Sequence, residues 1–494
     1  MKYSSMDSMK KNKTPILSLC FIPFFYITSV QASPWANPGD SSLRSDVEIL
    51  ANYGLISGPV NNWPIPWKQI TRDLHKADEM NLPAYVKAAL NRVEEKIPKK
   101  INVKAKAYYT NKVDYFRGFE DSGRGKAEIE SNLEFNFSDS SINLSAHYND
   151  NDDFNLDGSY LNHDFGNWSV YAGSVERWWG PGKETTTLLS TNARPMPSIG
   201  IRRVEPKPFK TKWLSWMGPW SGEIFISKMD KNRVIPEPIF VGMKLAFEPV
   251  RNFEVGLART LMLCGQNRPC GSKQWINGLV AIGDLDNRGP VAEQPGNQLA
   301  MLDLSYSFNV KENTNLKIYA EGTAEDIVVV APYTYSRLIG ASLYGPVNEN
   351  GDQYRLTVEY SDTTGSLVWF FGEQRKGVMY NHFIYKSGYR YYDRVIGHAL
   401  DSNSQYATLN ATLVKSNGWE YSVKYQNILI NSENNNKNHL SISRERINSL
   451  ALDIKTETQF GIIRLNGNIM DNYINTPNEN KVNLEGGIIW EIGF

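Results

Sequence analysis

The sequence predicts an all-β transmembrane barrel of about eighteen antiparallel strands, preceded by a small N-terminal helical bundle. Three observations point there. The C-terminal segment Leu484-Glu-Gly-Gly-Ile488-Ile-Trp490-Glu-Ile492-Gly-Phe494 carries an apolar or small residue at every second position and ends on an aromatic ring. The same two-residue rhythm recurs from about Ile101 onward. The N-terminus reads as an export signal. Because alternate side chains of a strand point to opposite faces, Leu484, Gly486, Ile488, Trp490, Ile492 and Phe494 share one face, opposite Asn483, Glu485 and Glu491.

In residues 1–32, Lys10, Lys11 and Lys13 precede an apolar run over 15–30, closed by Val30-Gln31-Ala32. A basic stretch, a short apolar run and a small-residue cleavage site make a secretory signal peptide. The run is too short for a spanning helix. Cys20 follows Leu17-Ser18-Leu19 and lacks the small neighbour that lipidation requires. Residues 33–100 carry helical spacing instead. Asp40 or Ser41 caps a helix with Leu43, Val47, Leu50 and Ala51 on one stripe. Pro66 opens a second with Ile70 and Leu74, and Pro83 a third with Val86, Leu90, Val93 and Ile97. These stripes must bury against each other or against the barrel's mouth, on the periplasmic side.

Residues 101–494 form the barrel. Over 127–138, Ile129, Leu133, Phe135 and Phe137 oppose Glu128, Glu130, Asn132, Glu134 and Asn136; over 141–149, Ile142, Leu144, Ala146 and Tyr148 oppose Asn143, Ser145, His147 and Asn149. In a membrane barrel the apolar set faces lipid and the polar set the lumen. A one-residue slip would turn three glutamates toward hydrocarbon at a cost of several kcal/mol, which fixes the register. Short links at 138–141, 164–167, 248–252, 310–315, 362–366 and 415–418 alternate with long ones at 177–217, 264–297, 329–352, 376–404 and 431–446, as periplasmic turns alternate with external loops. An even strand number requires one further strand somewhere within 185–217.

The totals agree. The chain has 53 basic and 53 acidic residues, and loss of the leader removes four lysines and one aspartate, leaving a net charge of −3. Bulk charge therefore gives no reason to expect nucleic-acid binding. Mean hydropathy of −0.44 excludes a helical membrane protein but not a barrel, whose lipid face uses alternate residues. Aromatic residues at 12% suit two interfacial girdles. Outside the leader only Cys264 and Cys270 remain, a spacing that favours a small loop disulfide over a metal site, since no His or second Cys pair is near. No metal or cofactor is expected.

The densest unusual segment runs from Glu176-Arg-Trp-Trp-Gly-Pro-Gly through Ser190-Thr-Asn-Ala-Arg-Pro-Met-Pro-Ser-Ile-Gly to Arg202 and Arg203. Trp178 and Trp179 offer flat surfaces for sugar rings, and Arg177, Arg194, Arg202 and Arg203 are rigid forks suited to carboxylates. A second role fits equally: a lumenal plug, its arginines paired with Glu128, Glu130 and Glu134. This segment resembles the signature of the capsule-assembly Wzi family of outer-membrane proteins, and the likeness extends over the helical start, the long barrel and the aromatic end. The resemblance implies an eighteen-stranded barrel and a periplasmic helical bundle. It also implies a lectin without catalysis that holds acidic capsular polysaccharide at the cell surface, as a monomer embedded in outer-membrane lipid. The Cys264/Cys270 loop departs from the family pattern.

Two rival readings compete with the lectin. A passive porin would need an open lumen, and a barrel of about eighteen strands is wide enough. A hydrolase would have to use His147 with Glu130 and Glu134, and no Gly-x-Ser-x-Gly elbow, His-Glu-x-x-His or phosphate loop accompanies them.

Overall fold

The computed structural model describes residues 34–151, 153–280, 294, 296–328, 331–368, 371–476 and 481–494; the expected leader, 1–32, lies outside them. Among the described residues, one antiparallel sheet closes on itself. Its strands are β1 (Ile101–Thr110), β2 (Ala127–Asn136), β3 (Ser140–Asn149), β4 (Asp153–Asn155 and Tyr160–Phe165), β5 (Trp168–Ser174) and β6 (Pro197–Arg203). They continue with β7 (Trp220–Lys228), β8 (Ile239–Val250), β9 (Phe253–Leu263), β10 (Gly296–Lys311), β11 (Thr314–Val328) and β12 (Ala331–Pro346). The last six are β13 (Gln353–Val368), β14 (Phe371–Arg375 and Gln405–Val414), β15 (Glu420–Ile430), β16 (Glu445–Thr458), β17 (Gly461–Met470) and β18 (Asn483–Gly493). Both parts of β4 pair with β3, and both parts of β14 pair with β13, so the barrel has eighteen strand positions. β18 closes on β1, and the terminal Phe494 N–H donates to the Val103 carbonyl at 2.9 Å.

The outer wall is the predicted apolar set. Ile129, Leu144, Tyr148, Leu484, Ile488, Trp490 and Phe494 are exposed on it, while Glu134, Asn136, Asn143, Ser145 and Asn149 are buried in the lumen. No described helix is long and apolar enough to cross a membrane. One barrel end has mostly tight links, such as 166–167, 251–252, 312–313 and 459–460, and the other most of the long ones.

The strand left unplaced within 185–217 is β6. Two expectations about links fail. The long link at 329–352 contains β12, and the short link at 362–366 is the interior of β13. β12 escaped because Leu338 and Tyr344 face inward and are buried, which erases the polar half of the alternation. Asp362-Thr-Thr-Gly365 has turn composition, but Asp362 is held by its cross-strand partner Arg337 of β12 at 2.7 Å, and the strand runs on. The two errors cancel in the count.

The N-terminal region supplies α1 (Ser41–Asn52), α2 (Trp67–Thr71) and α3 (Ala84–Glu95). Asp40 caps α1 by accepting from the Leu43 N–H at 3.0 Å, and Pro83 opens α3. Val47 and Leu50 of α1 share an apolar cluster with Val86, Ala89 and Val93 of α3. The pair is held to the short-link end of the barrel by Asp46, which takes both Arg92 nitrogens at 2.8 Å and Arg355 of β13 at 3.3 Å. In the link after β9, Cys264 and Cys270 form a disulfide, followed by α4 (Ser272–Val280).

Candidate functional site

The lumen has two unlike halves. Against β4 to β12 it is filled. After β5 the chain turns inward, and Trp178 and Trp179 pair antiparallel with Trp63 and Asn62 of the N-terminal region. Trp178 is 0% and Trp179 1% exposed. Phe119 stands edge-on between Trp63 and Trp178, at 5.4 and 5.3 Å, and the Arg44 guanidinium lies 4.4 Å from its ring. At Gly180, φ is +131°, and a β-carbon would sit 2.2 Å from Glu321 Oε2, so only glycine fits. Two lumenal carboxylates then clamp the loop. Glu321 of β11 accepts from the Thr186 hydroxyl at 3.0 Å and from the Thr187 amide and hydroxyl; Glu359 of β13 accepts from the Lys183 and Thr185 amides at 2.7 and 3.0 Å. A second inward excursion, 376–404, packs on the first: the Tyr380 hydroxyl donates to the Thr187 carbonyl at 2.6 Å, and Arg390 grips Asp401 at 2.9 and 2.6 Å.

α1 seals this plug from below. Glu48 receives Lys317 at 3.0 Å and Lys183. Burial alone would raise the Glu48 carboxyl, but Lys183, Lys317 and Arg44 hold it far below the usual carboxylate range. Burial lowers the Lys183 ammonium to about 7 in spite of Glu48 beside it.

Against β13 to β18 the lumen is open. A cavity of about 250 Å³ runs from Tyr115 and Tyr473 to Ser41 and Ser45 of α1. Its wall mixes polar residues, among them Asn410, Gln426, Asn466 and Asn468, with apolar ones such as Phe116, Ile428 and Ile447. Lys424 pairs with Glu184 at 2.8 Å, and Arg464 with Glu120 and Asp453 at 2.9 and 2.6 Å.

At the long-link end, aromatic rings and cations meet at the surface. Arg194 forms a two-nitrogen bridge to Asp157 at 2.7 and 3.1 Å and lies 5.2 Å from the ring of Tyr392, which is half exposed. Nearby in sequence, Arg394 donates to the Tyr115 carbonyl at 3.3 Å, Tyr115 meets Tyr473 edge-on at 6.1 Å, and Lys112 sits 4.6 Å from the Tyr473 ring. His439 and Asp393 pair at 2.9 Å. Rings presented beside paired and bridging arginines offer stacking faces and carboxylate-binding forks together.

Comparison with known proteins decides the relationship. Residues 100–482 match the family described as capsule assembly protein Wzi. The chain belongs to that family. A Klebsiella pneumoniae protein described as an uncharacterized 55.8 kDa protein in the cps region is 27% identical over 300 residues, or 58% of this chain and 57% of that relative. The match therefore spans little more than half the length of that curated protein. Among solved structures, the Escherichia coli Wzi described as an outer membrane protein involved in group 1 capsule assembly and a carbohydrate-binding β-barrel superposes with a TM-score of 0.79 at 22% identity. That likeness covers 93% of this chain and 99% of the other. Against this Wzi frame, helices α1 to α3 precede the family-matched region and enter the barrel from its short-link end.

The Wzi-like segment does not present its sequence-predicted residues together. Trp178 and Trp179 have no free face, and burying two large rings outweighs any stacking they would offer a glycan. Arg177 is buried against Glu223 at 2.9 Å, Ser198 and the Phe225 ring, and Arg202 reaches the same Glu223 at 2.7 Å. Arg203 stacks 3.7 Å from Trp220 at the opposite end of the barrel. Of the six expected contact residues, Arg194 alone reaches the long-link surface. The plug role fits Arg177, Trp178, Trp179 and Arg202, with Glu223 as the arginines' partner in place of Glu128, Glu130 and Glu134, and does not fit Arg203. Those three serve the wall: Ser145 Oγ is 3.0 Å from His147 Nε2, His147 Nδ1 is 3.4 Å from Glu128, and Tyr160 donates to Glu134 at 2.6 Å. Ser145 is buried and does not line the cavity. Among the described residues no cluster of His, Cys, Asp and Glu is arranged to hold a metal. The surface residues that sequence reasoning missed carried one signal, the run Tyr389-Arg-Tyr-Tyr-Asp-Arg394 inside a long link.

Proposed function

We propose that this barrel sits in the outer membrane with its long-link end outward and binds secreted acidic capsular polysaccharide there as a lectin, with no catalytic step. The observation that carries the reading is the Arg194–Asp157–Tyr392 group with Arg394 and Tyr115, where cations and exposed rings share the long-link surface. A polymer engages many such weak contacts at once, so avidity does the holding. The porin alternative is disfavoured by the plug, which leaves only the charged half of the lumen unfilled.

The test is binding of the purified protein to capsule from its own strain and to a neutral glycan of similar size. Arg194→Gln with Arg394→Gln should weaken capsule binding about tenfold or more, from the loss of charge-assisted contacts. Tyr392→Ala should weaken it severalfold, while the neutral glycan responds to neither. Capsule binding that is unchanged in both variants overturns this location.

A further inference from the structure

The link between β6 and β7, residues 204–219, is the longest at the short-link end, where its neighbours are tight turns. It does not hang into the aqueous mouth. Phe209 stacks on Trp220 at 4.6 Å with an interplanar angle of 12°, and Trp216 meets Phe247 edge-on at 5.7 Å. Trp220 and Phe247 are cross-strand partners. Both belong to the outward set: Ile224 and Ile226, in phase with Trp220 along β7, are exposed on the outer wall. The link therefore wraps the outside of the barrel, at the height where the apolar wall begins.

Its own outer side is unusual. Trp213 is 74% and Trp216 61% exposed. Lys207, Lys210 and Lys212 are exposed beside them. Lys207 pairs with Glu205 at 2.9 Å, and Glu205 also meets Arg72 at 3.7 Å. Neither Lys210 nor Lys212 has a carboxylate within ion-pair distance among the described residues. The other carboxylate packed near the link, Glu248, is taken by the amides of Gly58 and Asn252. In water, two exposed indoles next to uncompensated ammonium groups gain nothing. At a bilayer surface the indoles settle at headgroup depth, and the lysine stems lie along the apolar layer with their charges among the phosphates.

We propose that residues 204–219 form a lipid-docking cuff that seats on the headgroup layer at the short-link end and selects anionic over zwitterionic phospholipid. The proposal takes the lipid-facing wall from the preceding reading and is independent of the glycan. The full chain is held in detergent with equal amounts of phosphatidylglycerol and phosphatidylethanolamine, and retained lipid is counted by native mass spectrometry. The intact protein should prefer phosphatidylglycerol by roughly tenfold. The triple variant Lys207→Gln, Lys210→Gln, Lys212→Gln should fall to near parity, and Trp213→Ser with Trp216→Ser should lower retention of both lipids. Capsule binding should be unchanged in each, which separates failure of the cuff from failure of the lectin reading. An undiminished preference in the lysine variant overturns the proposal. So does release of a co-purifying protein by that variant with lipid retention intact, which would make the patch a protein interface.

Discussion

The two halves of the lumen are built from the same alternating strands and end up with opposite interiors. Along β4 to β12 the inward residues include Tyr160, Tyr171, Phe225, Phe240, Leu299 and Met301, all buried in one cluster with Trp179 and Tyr380. Along β14 to β18 they include Asn410, Lys424, Gln426, Lys455, Asn466 and Asn468, with a cavity in front of them, and the apolar ones, such as Tyr406, Ile428 and Ile447, gather in a smaller cluster of their own. Strand geometry is common to both. What differs is whether a loop supplies apolar surface for the wall to meet. The hydrophobic effect closes the first half, and hydration keeps the second open.

The sharpest way to break the contrast is to remove the plug's clamps. Glu321→Ala with Glu359→Ala strips the acceptors from buried amides and hydroxyls of 183–187, a loss of about 1–3 kcal/mol for each buried donor left unpaired. The double variant should show steady conductance in planar bilayers where the intact protein shows none; silence would mean the packed rings suffice. Trp178→Ala attacks those rings directly. It should weaken the plug by about 3–5 kcal/mol, read as faster hydrogen exchange over 176–196 with the strands still protected.

Acid should work from below. The Asp40 and Glu48 carboxyls are both held under their ordinary values, by Lys455 and Lys96 and by Lys183, Lys317 and Arg44 respectively, against the opposing effect of burial. Groups depressed in the folded state stabilise it above their unfolded values and stop doing so as pH falls. Exchange protection of α1 should thus drop as pH goes below about 4.5, ahead of the barrel's own loss of structure. The smallest effect belongs to the open half. Lys424→Gln breaks its pair with Glu184, but water reaches the site, so thermal stability should change by no more than about 1 kcal/mol. A loss as large as that of Trp178→Ala would erase the distinction between the halves.

Legibility in the sequence follows the same division. Where the inward face is polar, as in β2, β3 and β18, the two-residue rhythm gives strand, register and face correctly. Where a lumenal side chain is itself apolar, as with Leu338 and Tyr344 in β12, the rhythm carries no contrast and the strand is lost. The helices α1 and α3 were readable because their caps and stripes are local. The roles of Trp178, Trp179 and Arg177 were not, because the partners that bury them are Trp63, Phe119 and Glu223, distant in sequence and joined only by the fold. The family signature marked the right segment without saying which way its side chains point. The outward group around Arg194 draws on four separate links, and only Tyr389-Arg-Tyr-Tyr-Asp-Arg394 hinted at it.

The closure of β18 onto β1 has a consequence for assembly. The seam joins Thr110 to Gly486, 376 residues apart in sequence, so its ordering entropy must be met before most of its contacts form. The excursions 175–196 and 376–404 already touch each other, and α1 touches the first. A sheet still open at that seam gives these segments lateral entry; once it shuts, bulky indoles would have to thread a narrow mouth. An exported chain truncated before β18 should therefore already carry a docked interior, with the final strand acting as a latch.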